Sequence, residues 1–531
     1  MSERPLASRR SLRQSPSSDA QKRLDLPLHS TLASHAYLTH APSDYIDGVF
    51  RPLHGDAITT RDPALPSRVV WCGTPQPTHA EEAVAAARRA LRSWSARTME
   101  DRRAHLERWR EVCVKHAARL SAAISREVGK VKWEADLEAK IVAEKVLITL
   151  EDRVLARVAG FEVAAGAGKL GICTFKPHGV MAVLGPFNFP AHLPNGHIVP
   201  ALLLGNTIVF KPSEKAASVG QLLAELADEA GFPAGVFNVV QGTAPISARL
   251  ASHPEVDGVL FTGSFPVGRR ILEANLDTPG RIIALEMGGS NPTVVTAKAD
   301  LRRAAIECAR ASFATTGQRC TCTRRIIVED SIADRFIPMF LKLASNLVIA
   351  AADDCVPAFM GPLITDDARN EVLRAQESLA KRGRLLLEAT ALDRQGYFLG
   401  PGVVEIDRFR LEEHESEIFG PFVQVARATD LDDAIAQANA TKFGLAASVF
   451  TNDESEWREI FAQVRAGCIN LNTGTAGASS KLPFGGLGAS GNHRPAGAFA
   501  VDAAAYPVAT MIDSAELTIA QGMCVDERFF V

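Results

Sequence analysis

The chain has 531 residues, of which 47% are hydrophobic and 22% charged, a composition typical of a soluble globular protein that is too long for one ordinary core. The formal net charge of −3 gives no reason to expect a nucleic acid or an anionic membrane as partner, and no apolar run reaches the roughly 20 residues of a membrane span. The nine cysteines are scattered and the histidines lack the spacing of metal ligands, so we expect a reducing compartment, no disulfide framework and no metal site.

Residues 1–43 are rich in Ser, Arg, Pro and Gln and show little periodicity, which predicts a disordered tail. A transit peptide would share the Arg and Ser content, but the stretch also contains Asp and Glu, and it has no apolar segment for secretion. Two helices are predicted next. One begins at Thr78, with Glu81 completing a capping box, and the other runs from Thr98 to Gly129.

Four short apolar runs then alternate with helical stretches, at 180–184, 207–210, 236–240 and 258–261. This pattern indicates a parallel sheet covered on both faces, whose ligands bind at the carboxyl ends of the strands. Asn188, the segment 211–214 and the turn 263–268 follow three of these strand ends. The turn opens a helix whose free N–H groups suit a phosphate, although an ordinary strand–helix turn fits the same residues.

A second α/β unit is predicted from strands at 282–285, 293–296 and 325–328, followed by helices at 365–381, 431–440 and 453–466. A helical pattern that starts at residue 300 stops at Gly317, which places Cys320 on a short loop. A cysteine there is a candidate nucleophile, whereas the ordinary role of a free cysteine is buried packing. The stretch 483–491 is too glycine-rich for regular structure and predicts a close-packed loop.

The order of these motifs resembles the NAD(P)-dependent aldehyde dehydrogenase superfamily, from about residue 44 to the C terminus. The matching segments are 185–190, 211–214, 261–264, 286–289, 317–320, 417–421 and 483–486. Seven motifs in the family's order make a chance match negligible. Within the family, the segments 188–202, 317–322 and 488–495 are most similar to the branch that oxidises N-succinylglutamate 5-semialdehyde in arginine breakdown.

The resemblance implies an α/β fold of the aldehyde dehydrogenase type. It predicts a Rossmann-like NAD-binding domain formed by 44–155 and 179–284, and an α/β catalytic domain at 285–480. The segments 156–178 and 481–531 are expected to form a small β oligomerisation element with the C-terminal segment. The family also implies a cytoplasmic homodimer or homotetramer.

The resemblance assigns the chemistry to three residues. Cys320 would add to the aldehyde, and the hydride would pass from the resulting thiohemiacetal to the cofactor. Asn188 and the backbone N–H of Cys320 would stabilise the oxyanion, and Glu286 would activate water to hydrolyse the thioester. Because family members that transfer the acyl group to coenzyme A lack this glutamate, the product should be a free acid. Without the family, Asn188 would be read as a turn residue and Glu286 as a surface acid at a strand end.

The same resemblance assigns the cofactor site. Lys211 and Glu214 would bind the adenosine ribose, and Glu417 the nicotinamide ribose with Phe419 beside the ring. A 2′-phosphate would meet the charge of Glu214, so NAD is expected rather than NADP. The remaining cofactor contacts are assigned to Gly263, Ser264, Phe265, Pro266, Val267 and Gly268. A solvated turn at 211–214 and a strand edge at Glu417 are the structural alternatives.

The aldehyde predicted by the resemblance carries carboxylates, so cations are expected at the mouth of the site. Arg319, Arg324, Lys481, His493 and Arg494 are candidates, and we assign the role to Arg319, His493 and Arg494, with surface or packing roles as the alternative. Cys322 either packs or forms a resting disulfide with Cys320. Two other functions stay open: oxidation of a different acidic or acyl-amino semialdehyde, and a catalytically dead homologue that acts as a binding protein.

Overall fold

The protein is described here by a computed structural model that defines residues 37–166, 168–411, 416–514, 526 and 528. Two seven-stranded sheets dominate these residues, and smaller antiparallel sheets accompany them. Most of the predicted tail, 1–36, lies outside the described residues. Its predicted end at residue 43 is too late, because the backbone N–H groups of Thr39 and His40 already donate to the buried carboxylate of Glu225.

The strands in chain order are β1 (Ser43–Ile46), β2 (Val49–Pro52), β3 (Ile58–Asp62), β4 (Leu65–Gly73), β5 (Phe161–Ala164), β6 (Lys169–Pro177), β7 (Val180–Leu184), β8 (Thr207–Lys211), β9 (Phe237–Val239), β10 (Gly258–Thr262), β11 (Ile282–Glu286), β12 (Asn291–Val295), β13 (Thr323–Glu329), β14 (Arg384–Leu387), β15 (Gly402–Glu405), β16 (Phe422–Ala428), β17 (Phe443–Gly444), β18 (Ala446–Phe450), β19 (Cys468–Leu471), β20 (Pro483–Phe484), β21 (Leu487–Gly488), β22 (Ala496–Gly497) and β23 (Ala505–Asp513).

The α-helices are α1 (Pro77–Ser95), α2 (Met99–Lys115), α3 (Ala117–Val128), α4 (Lys132–Thr149), α5 (Asp152–Leu155), α6 (His192–Leu203), α7 (Ala217–Glu229), α8 (Ala244–Ser252), α9 (Phe265–Glu273), α10 (Leu301–Phe313), α11 (Asp330–Ala344), α12 (Asp366–Ala380), α13 (Leu431–Asn439) and α14 (Glu454–Gln463). Short 3-10 helices lie at Ala156–Val158, Ala314–Gly317 and Ala500–Ala503.

The first sheet has the strand order β11-β10-β7-β8-β9-β1-β2, in which β11 to β9 run parallel and the β1–β2 hairpin is antiparallel. Alternate residues of β7 enter different cores: Met181 and Val183 pack with α2, α4 and α6, while Val180 and Ala182 pack with α1 and α8. The sheet is therefore covered on both faces, as the continuous apolar runs predict.

The register of this sheet gathers polar residues at one edge. Leu184 at the end of β7 pairs with Lys211 at the end of β8, and Thr262 at the end of β10 pairs with Glu286 at the end of β11. Because these strands are parallel, their carboxyl ends meet at the same edge. Lys211 and Glu286 are thus brought to one side of the molecule although they are far apart in the sequence.

The second sheet has the order β14-β15-β16-β13-β12-β18-β19 and is parallel except at β14. Its β12 begins at Asn291, just after β11 ends, so the chain passes directly from the first sheet into the second. The loop that carries Cys320 precedes β13, the neighbour of β12. The two sheets therefore bring Glu286 and Cys320 towards each other.

Helix starts differ from the predictions in one case. α1 begins at Pro77, one residue before the predicted capping box, because proline suits the first helical position; Gln76 precedes it without a side-chain cap. The second predicted start is confirmed, since Thr98 accepts a hydrogen bond from the backbone of Asp101. That predicted helix is divided at His116 into α2 and α3 and ends, as predicted, at Gly129 with φ of 73°.

Four smaller antiparallel sheets complete the fold of the described residues, and one of them is the pair β3–β4. β23 pairs with β6 and β6 with β5 in a three-stranded antiparallel sheet built from distant parts of the chain. The glycine-rich stretch 483–491 is not wholly irregular, because β20 pairs with β22 and β21 with β17. Its Gly491 also forms an isolated bridge with Glu286.

Candidate active site

A cavity of about 1580 Å³ is lined by residues of both sheets. Cys320, Glu286 and Asn188, the three residues predicted to carry the chemistry, line it together. Of the residues predicted for the cofactor, the lining includes Lys211, Glu214, Gly263, Ser264, Phe265, Pro266, Val267, Glu417 and Phe419. The structure thus brings the predicted nucleophile, base, oxyanion donor and most of the cofactor residues to one space.

The loop of Cys320 is held by backbone geometry and by one side chain. After α10 the chain turns through Thr315 and Thr316, which have φ of 52° and 54°, to Gly317 at φ of 69°. A side chain on Gly317 would collide with the backbone carbonyl of Gly420, so only glycine fits there. The amide of Asn291 donates to the carbonyl oxygens of Cys320 and Cys322, each at 2.7 Å.

The thiol of Cys320 is partly accessible from the cavity but lies deep in the molecule. Burial raises the pKa of this thiol, and the charges of Glu417 and Glu286 raise it further. The resting state is therefore the thiol, which must lose a proton before it attacks a carbonyl carbon. Cys322 is buried and its sulfur lies 3.8 Å from the carbonyl oxygen of Ala314, and both cysteines are free thiols.

Asn188 follows β7 and is buried against the Cys320 loop. One N–H of its side-chain amide donates to the backbone carbonyl of Gln318 at 3.0 Å. An amide carries a second N–H, which gives the cavity a donor next to the nucleophile loop. The same side chain can therefore hold the loop and stabilise an oxyanion.

Glu286 ends β11 and is 4% exposed. Among the described residues its Oε2 has no hydrogen-bond partner, whereas the backbone N–H of Ala496 donates to the carboxyl group. A side chain at Gly485 would lie 2.9 Å from its Oε1, so the absence of a side chain there leaves room at the carboxylate. Burial raises the pKa of Glu286 well above its ordinary value, as a general base requires.

Glu417 reaches the cavity through a space that Gly288 leaves open. A side chain on Gly288 would collide with the carboxylate, so the first of the two glycines after Met287 admits Glu417. The N–H of Gly289 donates to the same carboxylate, and Arg324 lies 3.8 Å away. Burial raises the pKa of Glu417 to about 7.

Lys211 and Glu214 form a pair at the end of β8. The ammonium of Lys211 is buried, donates to the carbonyl of Gly242 at 2.7 Å and lies 3.6 Å from Glu214 Oε2. Burial lowers the pKa of Lys211 to about 8. The side chain of Glu214 is 45% exposed and is therefore open to a ligand, as hydrogen bonding to a ribose would require.

The turn after β10 continues into α9, for which Ser264 is the N-cap residue. Residues 263–267 line the cavity, so the N-terminus of α9 faces the cavity. Gly268 does not line the cavity. A side chain at Gly268 would collide with Met287, so this glycine permits close packing of α9. The cofactor contact of Gly268 stays a prediction, which the cavity lining does not support.

The three cations predicted for the substrate are placed differently from expectation. Arg319 lines the cavity, but its guanidinium donates to Glu134 and to Thr315, both at 2.7 Å, and so ties the nucleophile loop to α4. His493 and Arg494 are exposed and do not line the cavity. Sequence position alone suggested them, because they follow a family motif.

Lys145, His192 and His197 line the cavity and were missed in the sequence. A signal was present, since Lys145 follows Glu138 and Val142 at helical spacing on the buried face of α4. A charged residue on such a face needs a partner or a function. The two histidines lie in the segment 188–202 that carries the family resemblance.

None of the helices in the described part of the chain is both long and apolar enough to span a bilayer. The described residues also contain no cluster of three or more His, Cys, Asp or Glu side chains arranged to bind a metal ion.

The comparisons with known proteins agree with this geometry. The profile of the aldehyde dehydrogenase family matches residues 50–507, and the chain belongs to this family. It is 42% identical over 468 residues to N-succinylglutamate 5-semialdehyde dehydrogenase 2 of Caulobacter vibrioides, covering 88% of this chain and 95% of that protein. The family resemblance and the α/β fold class expected from the sequence are confirmed.

Solved structures of the same fold include enzymes for both nicotinamide cofactors. An Escherichia coli enzyme described as NADP dependent has a TM-score of 0.84 and 31% identity, covering 89% of this chain and 98% of that one. A 1-pyrroline-5-carboxylate dehydrogenase from Thermus with bound NAD has a TM-score of 0.84 and 28% identity, covering 89% and 93%.

Proposed function

We propose that the protein oxidises N-succinyl-L-glutamate 5-semialdehyde to N-succinyl-L-glutamate in arginine catabolism, with NAD as the acceptor. The observation that carries the reaction type is the convergence of Cys320, Glu286 and Asn188 on one cavity. The substrate is proposed from the relative of that name, which is 42% identical to this chain.

The residues of the cavity act in sequence. Cys320 loses its proton and its sulfur adds to the aldehyde carbon, while the amide of Asn188 and the backbone N–H of Cys320 donate to the developing oxyanion. A preorganised donor of this kind stabilises a transition state by about 3 kcal/mol. NAD, when bound, supplies the hydride acceptor. Glu286 then takes a proton from water, whose oxygen attacks the thioester, releasing the carboxylic acid and the thiol.

The cofactor residues fit a dinucleotide without a 2′-phosphate. Glu214 offers an exposed carboxylate beside the ammonium of Lys211, which suits a ribose diol and repels a phosphate. Glu417 Oε1 is buried and has no hydrogen-bond partner among the described residues, so a ribose hydroxyl would satisfy it. Glu214 favours NAD over NADP in this chain, although one structural relative is described as NADP dependent.

Assembly and location are part of the proposal. We assign the contacts of a homodimer or homotetramer to the three-stranded sheet β23-β6-β5, in which Phe161 and Met511 are each 60% exposed. A cytoplasmic location is supported by the eight described cysteines, which are all free thiols.

The reaction is tested with purified protein, NAD and a panel of semialdehydes, by following NADH. The proposal predicts the highest kcat/KM for the succinylated substrate and no NADH from Cys320→Ser. Cys322→Ser is the matched control and should retain activity, because its side chain points to Ala314 and not into the cavity. Preference for another acidic aldehyde would refute the substrate, and an inactive wild-type protein would make the chain a binding homologue.

A further inference from the structure

We propose that Lys145, assisted by His192 and His197, binds a carboxylate of the aldehyde substrate. The inference rests on the function proposed above, because it concerns the same cavity, and it adds the residues that select an acidic aldehyde. Lys145 lies on α4 and the two histidines lie on α6, and all three line the cavity that contains Cys320.

Lys145 is a buried ammonium that has no counter-ion among the described residues. Its residue is 2% exposed, and no described carboxylate lies within 4.0 Å of its nitrogen. Its recorded hydrogen bond goes to the carbonyl of Gly497 at 2.6 Å, which leaves other ammonium hydrogens for a ligand. Burial alone lowers the pKa of Lys145 to about 8, so the group keeps most of its charge near neutral pH.

Lys130 is a second buried lysine and provides a comparison, because it is paired with a carboxylate. It is also buried, but its ammonium lies 2.5 Å from the carboxylate of Glu138, which neutralises it. A buried charge without such a partner is costly unless a ligand supplies the opposite charge. Lys145 has the environment expected of an anion-binding residue.

The two histidines supply neutral donors beside the ammonium. Burial, and then the charge of Lys145, lowers the pKa of His192 to about 3 and that of His197 to about 4, so both rings are neutral at neutral pH. A neutral imidazole has one N–H donor and one acceptor. His192 Nδ1 is buried without a hydrogen-bond partner among the described residues, and a carboxylate bound at this end of the cavity would satisfy it after a small rotation of the ring.

The cavity has room at this point because Gly196 lies between the two histidines on α6. A side chain at Gly196 would meet no atom within 4 Å, although the residue lines the cavity. The space beside these donors is therefore open to substrate. A carboxylate can accept hydrogen bonds from the ammonium and from an imidazole N–H at the same time.

The test compares two aldehydes of equal chain length, succinic semialdehyde and butanal, together with N-succinylglutamate 5-semialdehyde. Lys145→Met should raise KM for both acidic aldehydes roughly ten- to a hundredfold, the effect of losing a charged hydrogen bond, and leave KM for butanal unchanged. Lys145→Arg should restore part of the loss. Lys140→Met is the matched control, since Lys140 lies exposed on the same helix and pairs with Glu144.

Binding of N-succinylglutamate, measured by titration calorimetry, provides a readout that needs no turnover. Its Kd should rise by a similar factor in Lys145→Met and stay unchanged in Lys140→Met. An unchanged Kd overturns the inference. An equal fall in kcat for acidic and neutral aldehydes also overturns it, because Lys145 would then only hold the segment of Gly497 that supports Glu286.

Failure of the proposed function has a different signature. If the wild type prefers another acidic aldehyde, the substrate assignment fails, while the contrast between acidic and neutral aldehydes in Lys145→Met still supports the carboxylate site. If the wild type prefers butanal to both acidic aldehydes, the carboxylate site itself is refuted.

Discussion

Two buried carboxyl groups, Glu286 and Glu417, surround the thiol of Cys320, and each raises the pKa of that thiol. Burial raises the pKa of both carboxyl groups in turn. Because burial and mutual charge disfavour the ionisation of all three groups at once, their titrations are coupled. Catalysis here depends on which of the three is ionised at each step.

The first prediction concerns Glu286 as the base for thioester hydrolysis. Glu286→Gln should release one equivalent of NADH per active site in a burst and then stall, because the amide cannot take a proton from water. Rapid-mixing absorbance at the NADH band measures the burst. Glu417→Gln is the control and should raise KM for NAD without producing the stall. Continued turnover of Glu286→Gln at the wild-type rate would remove Glu286 from the mechanism.

The second prediction concerns pH. Glu286 acts only when ionised, and its pKa is raised, so kcat should fall as pH drops through that raised value, well above the range of an ordinary carboxyl. The acid limb of the kcat profile measures this effect. Glu417 faces the same thiol, so the Glu417→Gln variant separates its contribution. An acid limb at the pKa of a solvent-exposed glutamate would contradict the assignment.

The third prediction concerns Gly288. A methyl group there collides with the Glu417 carboxylate, so Gly288→Ala should displace Glu417 and raise KM for NAD. The overpacking should also lower the free energy of unfolding by about 1–3 kcal/mol. Steady-state kinetics and NAD titration measure the change in KM. Gly280→Ala is the matched control, because a side chain there meets no atom within 4 Å. Equal effects of the two substitutions would refute the explanation.

The sequence predicts the role of a single residue where a family motif contains that residue. It does not predict the role where contacts with distant residues determine it. Glu286 and Cys320 stand in family motifs, and those motifs predict a shared site, although a strand end alone suggests a surface position for Glu286. Arg319 stands in such a motif too, but its guanidinium is occupied by Glu134 of a distant helix. No local sequence pattern predicts that contact. Nor does one predict that Lys145 has no paired carboxylate among the described residues.

At the scale of elements, the parallel sheets were predictable because buried strands are continuous apolar runs, and β7 begins and ends where its run does. Helix starts were less predictable. Thr78 and Glu81 have the spacing of a capping box, but Pro77 occupies the first position of α1 and shifts the start. Thr98 has no such competitor and forms the cap that its sequence predicts.

The fourth prediction follows from this contrast. Thr98→Ala should lower the free energy of unfolding by about 1 kcal/mol, because the backbone N–H of Asp101 loses its acceptor. Thr78→Ala should have a smaller effect, since Thr78 caps no helix. Denaturant unfolding followed by circular dichroism compares the two variants. Equal losses would show that the recorded cap of α2 does not stabilise it.

At the scale of the whole molecule, the sheet β23-β6-β5 joins residues 161–177 to the distant residues 505–513. Its exposed apolar side chains are the basis for the oligomer proposed above. The resemblance predicted that the two segments belong together. Strand periodicity did not predict this pairing, because most strands of the two large sheets lie between the partners in the sequence.

The fifth prediction tests that surface. Phe161→Glu should shift the protein towards smaller species in size-exclusion chromatography with light scattering, because a charge replaces an apolar side chain at the proposed contact. Leu276→Glu is the control, since Leu276 is 76% exposed on a different part of the surface and should not change the mass. An unchanged mass of Phe161→Glu would place the contact elsewhere.

The bridge between Glu286 and Gly491, with the N–H that Ala496 donates to the same glutamate, has a consequence for biosynthesis. A ribosome delivers Cys320 and Glu286 long before it delivers these partners. The emerging chain can therefore contain its nucleophile and its base before it contains Gly491 and Ala496, which hold that base in position. Turnover therefore requires the segment 491–496, and chains that stop before it should not act as slow enzymes.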